Sequence, residues 1–503
     1  MMEWDVAIIG SGVGGGCIAL SLAGTGARIL ILERGQRLPR EPQNWDPEAV
    51  FVENRYRTTE TWYDAAGNPF RPGQFYYVGG HTKVYGTAMF RFRERDFDGV
   101  EHAEGASVPW PIRYAELEPW YAQAERVFGV HGKAGDDPTE PARSGPFPHP
   151  PIPHEPVIGE VFERMRARGL HPAHMPAAID FHAGGTCIRC GTCDGFPCKI
   201  GAKGDAETRL IEPSLKHANV KLQTGSLVTR LLTDDRGKRI VAAEVERGGK
   251  KSTIKARLFV LSAGAINSAA VLLRSVDSKN PAGVANSSGL VGRYYMNHNC
   301  TAILAVTPWR QNHTRYPKTL TLNDYYFGGD ASDKPLGNLQ LLGKIEEPML
   351  RGALPNAPKW SRAWLAHHSV DWYVMSEDLA QRDSSVVLRG DGAIQLNWKR
   401  SNLQAHRKWV EVAKRLLKET GFPIVLSKPF GTDTPSHQCG TARFGTDPTT
   451  SVLDPHCRAW DHDNLYVVDA SFFPSSAALN PALTVAAQAL RVGAHLKIGL
   501  DRF

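Results

Sequence analysis

The sequence predicts an α/β protein. A doubly wound parallel sheet is assembled from separated stretches of chain and joined to an α+β region with an antiparallel sheet. Three observations predict this. Near the start, Asp5-Val-Ala-Ile-Ile9 is an apolar run, Cys17–Ala23 has helical character closed near Gly24 and Gly26, and Arg28-Ile-Leu-Ile-Leu32 is a second apolar run. That order reads as strand, helix, strand. Near the end, the apolar strand Leu465-Tyr-Val-Val468 precedes a segment of helical periodicity, Ala482–Leu496. Between them, Asp371–Met375, Ser385–Leu388 and Ala393–Trp398 read as strands of one antiparallel sheet, followed by a helix over Leu403–Glu419 that Gly421-Phe-Pro423 ends.

Composition narrows the class. Lys+Arg 59 against Asp+Glu 52 gives a net charge of +7, and no dense basic run accompanies it, so nucleic acid is not an expected partner. A 42% hydrophobic, 22% charged chain of 503 residues excludes disorder, collagen and coiled coil. No stretch has the ~18 uninterrupted apolar residues of a membrane span. The Val6–Leu32 segment is apolar enough to imitate a signal peptide, but Glu3 and Asp5 stand where basic residues belong and seven glycines interrupt it. A cytoplasmic protein is expected.

Between the first strand and its helix lies Gly10-Ser-Gly12-Val-Gly-Gly15. In a βαβ unit, Gly10 makes the tight turn, Gly12 lets the backbone approach a pyrophosphate, and Gly15 lets helix and strand pack closely. The helix N-terminus then faces the phosphates. Glu33 follows Gly15 by 18 residues, at the end of the second strand, where an acid accepts hydrogen bonds from an adenosine ribose and disfavours a 2′-phosphate. This unit predicts a dinucleotide site. By itself it leaves FAD against NAD open.

Four further segments resemble the glucose–methanol–choline (GMC) oxidoreductases. Gly79-Gly-His-Thr-Lys-Val-Tyr-Gly86 resembles the loop that lies along the flavin. Leu261-Ser-Ala-Gly-Ala-Ile-Asn-Ser268 is similar to the family's second signature. Ser436-His-Gln-Cys-Gly-Thr441 resembles the segment of its catalytic histidine, and Asn464–Ser471 with Asn480-Pro481 resembles its flavin-closing segment. The pyranose-oxidase-like bacterial sugar and glycoside oxidoreductases are the branch most resembled. The resemblance implies a discontinuous FAD-binding Rossmann-like domain of GMC type. It implies cofactor contacts from Gly80, Thr82, Val84, Val228 (a backbone contact to adenine), Ala263, Asp469, Ala470 and Pro481, beside Gly10, Gly12, Gly15 and Glu33. Where some pyranose oxidases carry a histidine bonded to the flavin, this chain has Val84, so the FAD is expected to be non-covalent. Lys83 reads equally as a flavin or phosphate contact and as a solvated loop residue.

Oxidising an alcohol by hydride transfer needs a base for the O–H proton, and neutral imidazole suits that task near pH 7. The resemblance assigns it to His437. Asn480 holds the family's second position, where it can orient the substrate oxygen but cannot take a proton. His298, in Tyr-Tyr-Met-Asn-His298, reads as a structural neighbour of the site. The expected reaction is oxidation of a CH–OH group to a carbonyl, with a sugar or glycoside ring secondary hydroxyl as substrate and oxygen or another acceptor, including a partner protein, taking the electrons. A cyanohydrin lyase of the same family and an NAD-utilising reductase are the competing readings. Trp372, Tyr373, Gln395 and Asn397 would suit sugar recognition, or merely pack the sheet.

Cys187, Cys190, Cys193 and Cys198 fall within twelve residues. The spacing resembles part of a ferredoxin ligand run, with the fourth cysteine one residue too far and the proline on the wrong side. A cluster-bearing flavin dehydrogenase, a zinc site and a loop of free thiols or a local disulfide all fit. The last is the leading expectation, and no metal ligands are assigned. Residues 1–95, 195–300 and 430–503 are expected to form the FAD domain. Residues 96–194 and 301–429 are expected to form the substrate domain with lid and linker segments, 157–194 holding the cysteine loop.

Overall fold

A computed structural model describes residues 4–434 and 437–500. The glycine-rich unit forms as its sequence dictates, with strand Trp4–Ile9, helix Val13–Leu22 and strand Ile29–Leu32. These strands are buried on both faces, which is why they are runs of Ile, Val and Leu without alternation. Five strands run parallel in the order Val220–Gln223, Ile29–Leu32, Trp4–Ile9, Lys250–Leu261 and Leu465–Val467. Besides Trp4–Ile9, Lys250–Leu261 serves two neighbours. Its exposed first half pairs antiparallel with Ile240–Arg247, and its buried end pairs with Leu465–Val467. The register aligns Ile9 with Leu32 and Leu261, and Leu261 with Val467. The carboxyl ends of four strands from distant parts of the chain therefore meet along one edge.

The C-terminal helix Ala482–Gly499 packs on Val13–Leu22, and Gly493 makes the approach close: a β-carbon there would lie 2.4 Å from Ser21 Oγ. Helix Leu403–Glu419 has the predicted bounds. Helix Pro156–Arg166 lies in a stretch read as lid and linker, and its proline occupies a helix start, where the missing N–H is harmless.

The second sheet has six antiparallel strands, in the order Ile424–Pro429, Asn299–Val306, Ser369–Ser376, Asn338–Leu341, Leu320–Leu322 and Pro172–His174. Its pleat separates two chemistries. Trp372, Val374, Leu339 and Leu341 enter a core against Trp409, Val412 and Leu416 of the Leu403–Glu419 helix. The intervening residues Asn338, Gln340 and Tyr373 face the other way.

One expectation is corrected and one open alternative decided here. Asp371–Met375 does not share a sheet with Ser385–Leu388 and Ile394–Asn397. Those two strands pair with each other, and the second pairs with Trp62–Asp64. Trp372 is fully buried behind the sheet and offers no stacking surface to a substrate. Among the described residues, no helix is long and apolar enough to cross a membrane.

Candidate active site

The glycines sit at the aligned strand ends, and each has a distinct reason. Gly10 has φ +103, and a β-carbon on it would lie 2.2 Å from the Ser262 carbonyl oxygen. On Gly15 a β-carbon would lie 2.1 Å from the Gly10 carbonyl oxygen, which explains the close helix–strand contact. Gly14, not singled out from sequence, is tighter still, at 1.7 Å from the Val468 carbonyl oxygen. Gly12 differs from all three. A β-carbon there would meet nothing within 4 Å, and neither would one on Gly264. Gly80 approaches from the flavin-loop side, its β-carbon position 3.3 Å from Gly12 Cα. Bare backbone thus borders open space at the N-terminus of the first helix, the cradle that a pyrophosphate needs.

Glu33 is buried and held by Ser11 N at 3.1 Å, Ser11 Oγ at 2.6 Å and Gly35 N at 2.8 Å. Burial pushes its carboxyl up, against the pull of those hydrogen bonds. Thr82 Oγ donates to the Gly79 carbonyl at 2.5 Å and accepts from Ala206 N at 2.9 Å, fixing the turn. Lys83 is neither solvated nor at an open face. It is buried between Asp205 at 3.0 Å and Glu207 at 2.6 Å, so it joins the 79–86 loop to the 205–207 segment. Val84 is buried and supplies no nucleophile. Val228 precedes a register slip in the Leu227–Thr233 strand, where the ladder is interrupted and backbone groups are released.

Asp469 binds two turns together. It accepts from Gly264 N at 2.9 Å, Ser268 Oγ at 2.6 Å, Ser471 N at 2.9 Å and Ser471 Oγ. The carboxylate thus aligns the Ala263–Ser268 turn with Ala470. Gly440 N in turn donates to the Ala470 carbonyl at 3.1 Å, which links this corner to the segment of His437. Pro481 is the residue on which the Ala482–Gly499 helix starts.

His437 and Asn480 meet, with Nε2 of the ring 3.2 Å from the amide nitrogen of Asn480. Ser436, the first residue of the histidine segment, lies outside the described residues. His437 has φ 63, a left-handed conformation uncommon outside glycine and held here by its surroundings. Burial lowers its affinity for a proton well below the ordinary histidine range, with His298 and Lys318 adding in the same sense, so the ring is neutral. The Tyr373 ring lies 6.4 Å from the His437 ring, centroid to centroid.

Of the partners of this pair, sequence reasoning had singled out His298 as a neighbour of the site and missed Gln340. His298 Nδ1 lies 2.9 Å from His437 Nδ1, and its Nε2 lies 2.9 Å from the Ser476 carbonyl oxygen. Gln340 donates to Asn480 Oδ1 at 2.8 Å. One signal was available, since Gln340 is an amide within the apolar strand Asn338-Leu-Gln-Leu341. Gln395 and Asn397, on the other sheet, hydrogen bond to each other. The four clustered cysteines are free thiols, and among the described residues no group of three or more His, Cys, Asp or Glu side chains converges as a metal requires. Asp194, inside that loop, pairs with Lys318 at 2.5 Å.

Comparison with known proteins agrees with this geometry. Family models described as GMC oxidoreductase match residues 73–300 and 389–489. The chain is 33% identical to paromamine 6'-oxidase of Streptomyces fradiae, over 97% of this chain and 90% of that protein. It is 26% identical to the fructose dehydrogenase large subunit of Gluconobacter japonicus, over 97% of this chain and 96% of that one. The solved structure of pyridoxine 4-oxidase from Mesorbium loti superposes with a TM-score of 0.69 at 19% identity, covering 98% of this chain and 99% of that one. These matches lead to one conclusion: the chain is a member of the GMC oxidoreductases, FAD-binding enzymes that act on CH–OH donors.

Proposed function

We propose that the protein oxidises a hydroxyl of a sugar or glycoside to a carbonyl, with His437 as base and Asn480 as the group that orients the reacting oxygen. The observation that carries this is the 3.2 Å approach of Asn480 Nδ2 to His437 Nε2. An alcohol oxygen seated beside the pair, within hydrogen-bond reach of both nitrogens, donates its proton to the imidazole while it accepts from the amide. Burial keeps His437 neutral and therefore able to accept that proton. FAD, held non-covalently along the Gly10–Gly15 and Gly79–Gly86 segments, supplies the two-electron acceptor for the C–H hydride. Val84 at the loop position has only hydrocarbon and supports that reading.

A carbohydrate substrate is supported by two relatives. Paromamine 6'-oxidase of Streptomyces fradiae and 6'''-hydroxyparomomycin C oxidase of Streptomyces lividus are 33% and 32% identical to this chain.

The test is an anaerobic screen of monosaccharides, glycosides and simple alcohols, followed by flavin absorbance and repeated in air to identify the acceptor. Sugars or glycosides should bleach the flavin, and His437→Ala should slow bleaching by about 10²–10⁴, the usual share of a general base. Reduction of the His437→Ala flavin at the normal rate would remove the base assignment. Bleaching by simple alcohols alone would remove the carbohydrate.

A further inference from the structure

We propose that His298 and Gln340 are positioning residues: two hydrogen-bond chains of fixed direction run through them and converge on His437 Nε2, one setting the tautomer of the base and the other the orientation of Asn480. This rests on the reading of His437 as the base.

The first chain begins at a group that can only accept. The Ser476 carbonyl lies 2.9 Å from His298 Nε2, so that nitrogen carries a hydrogen. In the neutral ring Nδ1 is then bare and accepts. Its partner at 2.9 Å is Nδ1 of His437, which must therefore be the protonated nitrogen. Nε2 of His437 is left without a proton, the form a base needs. The rings are neutral because burial lowers the proton affinity of both.

The second chain also starts at a pure acceptor. The Asp137 carboxylate, which also pairs with Arg93, takes a hydrogen bond from Asn323 Nδ2 at 2.6 Å. Asn323 Oδ1 therefore points onward and accepts from Asn338 Nδ2 at 2.8 Å. Asn338 Oδ1 accepts from Gln340 Nε2 at 2.9 Å, and the other hydrogen of Gln340 goes to Asn480 Oδ1 at 2.8 Å. Asn480 must then present its NH₂ to His437 Nε2. Left to itself an amide is nearly symmetric in shape and turns either way. Here each amide is oriented by the one before it, back to a carboxylate that cannot donate.

The two chains agree where they meet. One delivers a lone pair on Nε2, the other an N–H beside it, so an alcohol oxygen that bridges the two from the side finds one acceptor and one donor. The charged groups acting on the rings are Lys318, which disfavours a proton on His437, and Glu377, which favours one on His298. Asp378 lies behind them and accepts from Asn297 N at 3.1 Å. None of these groups bonds to either ring in a way that would reverse the direction of the chain.

The experiment uses the FAD-loaded enzyme and the limiting rate of anaerobic flavin reduction. His298→Leu removes the acceptor for His437 Nδ1–H and should slow reduction by ~10²–10³, the scale of a misoriented base. His298→Gln should restore most of that rate. Its amide can accept from His437 and donate to Ser476, whereas a role in mere packing predicts no rescue by this differently shaped side chain. Gln340→Met should slow reduction by ~10-fold with FAD content unchanged. Ring ¹⁵N shifts in histidine-labelled wild-type holoenzyme give an independent measurement: His437 should show a protonated Nδ1 and a bare Nε2. The opposite tautomer overturns the proposal, as do normal rates in both His298→Leu and Gln340→Met when His437→Ala is slow. A normal rate in His437→Ala itself counts against the base assignment instead.

Discussion

Gly10 and Gly12 share one loop, yet they should fail in opposite ways when given a methyl group. Gly10 has φ +103, and its β-carbon would lie 2.2 Å from a backbone oxygen that cannot swing aside. Left-handed strain of ~1–3 kcal/mol and a packing clash of similar size place the loss of stability for Gly10→Ala at about 2–6 kcal/mol. Gly12 has φ −70 and ψ −164, an extended conformation open to alanine, with nothing within 4 Å of the added carbon. At this helix cap alanine is slightly worse than glycine, but it also restricts the unfolded chain, and the two nearly cancel to within ~0.5 kcal/mol. The added methyl instead occupies the approach of the pyrophosphate. Loss of one charge-assisted hydrogen bond, ~1.5–3 kcal/mol, raises the Kd for FAD by about 10–100-fold. Urea unfolding of the FAD-free proteins and fluorescence titration with FAD separate the two effects. Wild-type affinity in Gly12→Ala, or a stability loss in it equal to that of Gly10→Ala, would refute the placement of the phosphates.

Two further perturbations address the groups behind the site. Lys83→Met leaves Asp205 and Glu207 buried without their shared cation, although Arg37 still pairs with Glu207, and should destabilise the protein by ~3–5 kcal/mol in urea unfolding. A change below ~1 kcal/mol would show that the triad contributes no net stability. The Asp96 carboxyl is pushed up to about 7 by burial and by nearby Glu377, so its protonated folded form adds stability at low pH that is lost as pH rises through the folded value. An asparagine in its place does not titrate and has no such dependence. The stability of Asp96→Asn relative to wild type should therefore climb by up to ~1.4 kcal/mol per pH unit from about pH 4 to 7 and level off above, and a flat difference across that range contradicts the assignment.

The nucleotide half of the fold was legible because its constraints are local. The Gly10–Gly15 loop, the helix after it and the end of the second strand all follow from short-range backbone sterics, and the bounds of Leu403–Glu419 follow from periodicity and a glycine–proline stop. Sheet partners were not legible. Alternation in Ser385–Leu388 and Ile394–Asn397 says which residues share a face, but it does not say that Gln395 will sit beside Tyr63, far back in the chain. The choice for Trp372 between substrate contact and packing was open for a related reason, since strand periodicity alone does not say which face meets the helix. His437 and Asn480, the pair proposed to act on the alcohol, were reachable through short motifs. Of their supports only His298 was, as a neighbour of the site, because Gln340, Asn338, Asn323 and Asp137 come from three separate stretches and converge only through tertiary pairing. Lys83 shows the same limit from the other side. A lysine in a glycine-rich loop suggests a phosphate contact, and only the distant Asp205 and Glu207 reveal its use as an internal tie.

The pairing of Lys250–Leu261 with Trp4–Ile9 on one side and Leu465–Val467 on the other has a consequence for biosynthesis. A nascent chain emerging from the ribosome can close its first strand–helix–strand turn early, yet the wall contributed by residues 465–499 is still untranslated or inside the exit tunnel. Flavin capture should thus wait until residues 465–499 have been made and have left the tunnel, and products terminated before them should accumulate colourless, whatever helices they have already formed.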